Sequence, residues 1–260
     1  MVDQPRNLKT EQYSDFESRN GQAARWSEDE VLRSLVTSRN PWIVDVGAYT
    51  GTSAIRFRAI WPECELDCFE PNPTAREELN VTRIRLGGLL RVHSYALCNE
   101  EGTADFVVQG INPGLSGLSP RNLESRDSID VSTRSSDPAF QAAVNRQKIT
   151  VETRRLDQIL ENDGRDIDLL KIDVQSHESD VLAGARETLT RTQALLVEIS
   201  LYDFYEHESS FLAVEEHTSR AGLRLWAITA HSRNPRSGRT DWVNAVYWRP
   251  SSYVRTKQVN

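Results

Sequence analysis

The chain has 260 residues, 38% apolar and 27% charged, which suits one large α/β domain and excludes a wholly disordered chain. Its formal net charge of −7 repels a phosphate backbone on average, so nucleic acid is not the expected substrate, and no apolar run reaches the length of a membrane span. The polar N-terminus lacks the apolar stretch of a signal peptide, and the three cysteines Cys64, Cys68 and Cys98 complete no zinc pattern, so a soluble cytoplasmic protein with free thiols is expected.

In chain order, residues 1–40 read as an N-terminal extension or cap and 41–260 as one domain. Ser27 with Glu30 makes a capping box, and Val31, Leu32, Leu35 and Val36 give a helical stripe that Asn40-Pro41 ends. Strands and helices then alternate. WIVDVG is a strand, SAIRFRAIW a helix, ELDCFEP a strand and TAREELNVTRIRL a helix broken by Gly87-Gly88; LLRVHSYAL is a third strand. This alternation predicts a doubly wound, mostly parallel sheet with helices on both faces. ADFVVQ reads as a further strand. The stretch from about 110 to 147, rich in Ser, Pro, Asn and charge, reads as a lid or binding insertion, with a surface excursion as the other reading. KITVETRRLDQIL is a strand running into a helix. IDLLKIDV is a strand, ESDVLAGARETLTR a helix, ALLVEISLY a strand, and a helix follows from about Ser209 to Ala221, with Gly222 as its C-cap. LRLWAITAH and WVNAVYWRP close the chain as a hairpin, which places one antiparallel strand near the C-terminus.

The chemistry gathers at strand ends. Asp45-Val46-Gly47-Ala48-Tyr49-Thr50-Gly51 ends the first strand and opens a helix, where a doubly wound sheet binds its ligand. Its glycines lie four apart, unlike the dinucleotide fingerprint, and a carboxylate precedes the first by two residues. A pyrophosphate would be repelled there, whereas a ligand with ammonium and sulfonium cations, such as S-adenosylmethionine, would be favoured. Glu70 ends the second strand 19 residues after Gly51 and can accept from both hydroxyls of a ribose, in this cofactor or in NAD. In LLKIDVQSHES, Lys171 and Asp173 interrupt or end a buried-type strand, with His177 and Glu178 at the next turn. Lys171 reads equally as half of a structural ion pair; Glu198, inside ALLVEIS, is either its buried partner or a group at the substrate mouth.

Taken together, DVGAYTG, FEPNP, VETRRLD, LLKIDVQSHESDVLAGA and LLVEI, in that order, resemble the FkbM-type methyltransferases. The resemblance runs from about Pro41 to Ala230. It implies a class I, Rossmann-like methyltransferase fold with strand order 3-2-1-4-5-7-6 and strand 7 antiparallel. It also implies methyl transfer from S-adenosylmethionine, usually to a hydroxyl oxygen of a sugar or natural product. The positions that match place Asp45, Gly47, Ala48 and Gly51 around the methionine part of the cofactor, and Tyr49, in the same turn, is expected to contact the cofactor as well. They place Glu70 with Pro71 and Asn72 at the ribose, and Ser94 to Ala96 at the adenine. Asp173 and Glu178 match the family's Asp-x-x-x-x-Glu pair. Tyr49 stands where the family has asparagine, and Gln175-Ser176 stand where it has Glu-Gly. Asp173 is expected to orient or deprotonate the acceptor, with His177 as competing base. The other reading of Glu178 is a cap on its own helix. A divalent metal on Asp173, Glu178 and Glu198 ranks lower, because Gln175 removes a nearby acid. N-methylation, a non-catalytic binding protein and an NAD oxidoreductase are the competing functions; the glycine spacing argues against the last.

Overall fold

The structure is a computed structural model that describes residues 26–109, 113–120, 122, 147–202, 204–207, 209–234 and 237–250. Residues 1–25 of the expected N-terminal extension, and most of the 110–147 insertion, lie outside the described residues.

Among the described residues, ten strands form two sheets. They are β1 (Trp42–Val46), β2 (Glu65–Phe69), β3 (Leu90–His93), β4 (Ala96–Leu97), β5 (Gly102–Val108), β6 (Gln147–Arg154), β7 (Ile167–Ile172), β8 (Thr192–Ser200), β9 (Arg224–Arg233) and β10 (Thr240–Trp248). The main sheet has the order β3-β2-β1-β7-β8-β10-β9. It is parallel except for β10, which runs antiparallel to both β8 and β9. This is the expected class I methyltransferase order, with its reversal between the first strand and the fourth parallel one.

The helices are α1 (Glu28–Leu35), α2 (Thr52–Ile60), α3 (Pro73–Leu86), α4 (Leu156–Ile159), α5 (Glu178–Ala183), α6 (Arg186–Leu189) and α7 (Phe211–Arg220). The period-2 alternation of a strand divides β1 between two cores. Trp42, Val44 and Val46 join Leu170, Ile172, Leu195 and Val197 on one face. Ile43 joins Leu66, Leu169 and Leu196 on the other, together with Val31, Leu32 and Leu35 of α1. Both faces of β1 are therefore buried, which is why WIVDV reads as a continuous apolar run rather than an alternating one. The capping box of Ser27 and Glu30 opens α1 as expected. Glu28 ties that helix to α2 through Arg56 (2.7 Å) and to β10 through Asn244 Nδ2 (3.0 Å). None of the described helices is long and apolar enough to cross a membrane.

Three elements differ from their sequence readings. LLRVHSYAL is not one strand. Its first half is β3, and after Ser94-Tyr95 the chain leaves the main sheet to form β4 in a small second sheet, order β4-β6-β5. There β5 and β6 pair with each other, antiparallel, over Gly102–Val108 and Gln147–Thr153. ESDVLAGARETLTR is two short helices, α5 and α6, broken at Gly184. A Cβ there would lie 2.1 Å from the carbonyl oxygen of Cys98, so the backbones of this break and of the chain after β4 are in contact. The first helix stops at Leu35, short of Asn40-Pro41, because Val36 is already extended.

Candidate active site

The C-terminal ends of β1, β2 and β7 and the chain around β4 enclose a cavity of about 320 Å³. Gly47, Ala48 and Tyr49 line it from the first strand, Glu70 and Pro71 from the second, Ala96 from β4, and Asp173 and His177 from beyond β7. Of the residues singled out in the sequence, Asp45, Gly51, Ser94, Glu178 and Glu198 do not line it.

Asp45 is fully buried beneath the floor. The parallel register places it directly beside Lys171, whose Nζ lies 3.1 Å from Asp45 Oδ1. Lys171 also donates to the carbonyl of Gly47 (2.9 Å) and lies 3.7 Å from Asp173 Oδ2. Burial depresses the lysine pKa, but the attraction of Asp45 and Asp173 outweighs it, so the ammonium is held charged. Burial raises the Asp45 pKa against the pull of Lys171. Asp45 therefore offers no free charge to a cationic ligand, and the partner of Lys171 is Asp45 rather than Glu198.

Gly51 sits at the N-terminus of α2 with φ +93°. A Cβ on it would come within 2.8 Å of Thr82, so this glycine seats α2 against α3. Ser94 is exposed at the point where the chain leaves the main sheet, and Tyr95 and Leu97 flank Ala96 on the cavity wall in its place. Glu178 is buried. Its Oε1 accepts from the backbone N–H groups of Val174 (3.2 Å) and Ser176 (3.1 Å), clamping the loop after β7, and burial pushes its carboxyl up to about 7.

Glu70 holds the other side. Its Oε2 accepts from Tyr49 N and its Oε1 from Asn72 N, both at 2.8 Å, so one carboxylate joins the loops after β1 and β2. Burial raises its pKa to about 6 against those two hydrogen bonds. Tyr49 takes a left-handed φ of 48°, a conformation asparagine adopts more readily, which accounts for the family's usual residue there. Ser176, at φ 76°, likewise occupies a position suited to glycine.

Asp173 faces the cavity with its side chain one-third exposed. Gln175 Nε2 donates to Asp173 Oδ1 (2.8 Å) and lies 3.4 Å from Glu198 Oε1. The hydroxyl of Tyr205 donates in turn to Gln175 Oε1. Neither Gln175 nor Tyr205 was prominent as a functional residue in the sequence; Gln175 showed only as a departure, and Tyr205 lies outside every motif. His177 packs its ring on His207, centroids 4.5 Å apart, and burial together with that neighbour lowers its pKa to about 4.

Glu198 lies beneath this group. Burial, then the charges of Asp173 and Glu178, push its carboxyl up to about 8 against the opposing pull of Lys171. A raised acid keeps its proton in the folded chain after the unfolded chain has lost it near 4.5. Its contribution to stability is thus present below that value and is lost as pH rises toward 8. Denaturation midpoints are expected to fall across this window, and Glu198→Gln should flatten the slope. A slope identical in the variant would assign the effect elsewhere.

Residues 45–225 match the family model described as the methyltransferase FkbM domain. The 2-O-methyltransferase NoeI of Sinorhizobium fredii is 33% identical over 184 residues, 70% of this chain and 72% of that protein. The methyltransferase sdnD of Sordaria araneosa is 30% identical over 159 residues, 57% of this chain and 61% of that protein. Among solved structures, a methyltransferase FkbM from Methylobacillus flagellatus superposes with a TM-score of 0.48 at 15% identity. That match covers 81% of this chain, which spans 44% of the larger one.

Proposed function

Because the chain belongs to the FkbM methyltransferase family, we propose that it moves a methyl group from S-adenosylmethionine to a hydroxyl oxygen of a small acceptor, a sugar or other natural product. The observation that carries this reading is the cavity itself, with the anchored carboxylate of Glu70 on one side and Asp173 on the other. The residues present fit the cofactor. Glu70 spends one hydrogen bond per oxygen on the backbone and keeps further lone pairs for ribose hydroxyls. Gly47 and Ala48 bring backbone close to the space, and Ala96, Leu97 and Phe106 give an apolar wall suited to adenine. When bound, the cofactor supplies a methyl group already activated by its sulfonium.

The chain's own task is to align the acceptor oxygen and take its proton. Asp173 is assigned that role: it is the cavity carboxylate on the side opposite Glu70, and the Gln175 amide, itself held by Tyr205, fixes its direction. Glu178 serves instead as the clamp of the loop that carries Asp173. Cys64 and Cys68 are buried free thiols, in keeping with a reducing cytoplasm.

Glu70→Ala is expected to weaken S-adenosylmethionine binding by about 1.5–3 kcal/mol, the usual value of hydrogen bonds to a charged acceptor. Calorimetry on the folded variant measures this, and wild-type affinity would place the ribose elsewhere. Asp173→Asn is expected to slow turnover by about 10²–10⁴ with cofactor affinity little changed, as for loss of a general base. Formation of S-adenosylhomocysteine with a panel of sugars and hydroxylated natural products tests the reaction; no turnover with any hydroxyl acceptor, and turnover with amines, would overturn O-methylation.

A further inference from the structure

We propose that His177, Asp180 and His207 form a site for a divalent transition metal at the rim of the cavity. One ligand atom from each of the three residues lies within 4.8 Å of the other two, which no other described group of His, Cys, Asp and Glu side chains achieves. His207 Nε2 is 2.8 Å from Asp180 Oδ2, a separation compatible with two adjacent ligands of one ion at bond lengths of about 2.0–2.2 Å. His177 Nδ1 is buried and has no hydrogen-bond partner, an arrangement that ordinarily costs free energy and that a metal would relieve.

The surroundings are those of a supported ligand set. Asp180 Oδ1 accepts from Asn99 Nδ2 (3.1 Å), which fixes the carboxylate from behind. His207 is positioned through its backbone, whose N–H donates to Ser119 Oγ (2.9 Å). The His207 side chain is 46% exposed, so an ion has a path from solvent. His177 lines the cavity, so coordination positions left open by three protein ligands would adjoin the acceptor side. Two imidazoles and one carboxylate suit zinc, cobalt, nickel or ferrous iron, and disfavour magnesium or calcium, which want oxygen ligands throughout. This set is distinct from the carboxylates Asp173, Glu178 and Glu198. Metal binding here goes beyond methyl transfer and does not depend on it.

The test is a titration of the metal-stripped full chain with Co²⁺, read by visible absorption, and with Zn²⁺, read by calorimetry. One equivalent is expected to bind with saturable d–d bands. His207→Ala and His177→Gln should each weaken binding by more than tenfold. Asn99→Ala should weaken it by about tenfold, as loss of an outer-shell partner does, while His231→Ala on β9 should bind as the wild type. Thermal melts establish that each variant is folded; His207 is exposed enough for its removal to leave the fold intact. Absence of saturable cobalt bands, or unchanged affinity in both histidine variants, would show a plain His–Asp ion pair and overturn the proposal.

Discussion

Gly47→Ala is expected to lower the stability of the fold by about 3 kcal/mol or more and to remove the cavity's shape along with it. The residue has φ +77°, and a Cβ built there would lie 1.9 Å from the backbone carbonyl oxygen of Asp173. Neither side can yield cheaply. Asp173 N donates to Val46 O (3.1 Å) and Gly47 N to Phe69 O (3.0 Å), so the strand ends are hydrogen-bonded to one another just at the clash. The carbonyl of Gly47 is held in addition by Lys171. A left-handed backbone costs an alanine about 1–2 kcal/mol, and forcing a methyl group into packed structure adds about 1–3 kcal/mol. Urea denaturation measures the loss. A wild-type midpoint would mean the two loops separate freely, and the proposed rigid floor would be wrong. The glycine is thus demanded first by protein backbone and only afterwards by any ligand.

The second large effect is expected at Lys171→Met. Its ammonium and the fully buried Asp45 face each other between adjacent strands, and no well-directed hydrogen bond from another described residue reaches the Asp45 oxygens. Removing one partner of a buried pair leaves a naked charge and typically costs about 3–5 kcal/mol. Adding Asp45→Asn to Lys171→Met should recover much of that loss, since the stranded charge is then gone. Chemical denaturation of the wild type, both single variants and the double variant closes the cycle. A single Lys171→Met variant as stable as the wild type, or a double variant no better than the single, would refute the pairing as a structural necessity.

The main sheet was legible because its strands end at glycine, proline or polar turns and alternate with helices, three of which (α1, α3 and α7) carry side-chain N-caps. The departure at Ser94-Tyr95 was not, because LLRVHSYAL keeps an apolar pattern across the point where the chain changes sheets. The partner that captures β4 is β6, more than fifty residues further on. Glu70 and Asp173 line the cavity, as their position at strand ends predicts. Asp45 does not line the cavity, because the alternation of the strand, and not its nearness to the glycine, sets the face it takes. Counting by twos from Ile43 puts Asp45 on a buried face, opposite Trp42, Val44 and Val46. Aligning the ends of β1 and β7 would have paired it with Lys171. The Gln175–Tyr205 contact joins residues 30 apart with α5, α6 and β8 between them, and no periodicity encodes that.

The place of β10 between β8 and β9 sets the order of synthesis against the order of assembly. A nascent chain that has reached residue 239 has made β9, but β9 has no sheet to join, and β8 shows an open edge of unpaired backbone groups. The last of the described strands, β10, is the one that closes both. It also supplies Asn244, which reaches back 216 residues to Glu28 in the first described helix. Contacts this distant in sequence are formed late and slowly. The apolar centre of the domain must therefore wait until β10 has been made, and the half-made chain carries a sticky strand edge that a cell has to shield during that interval.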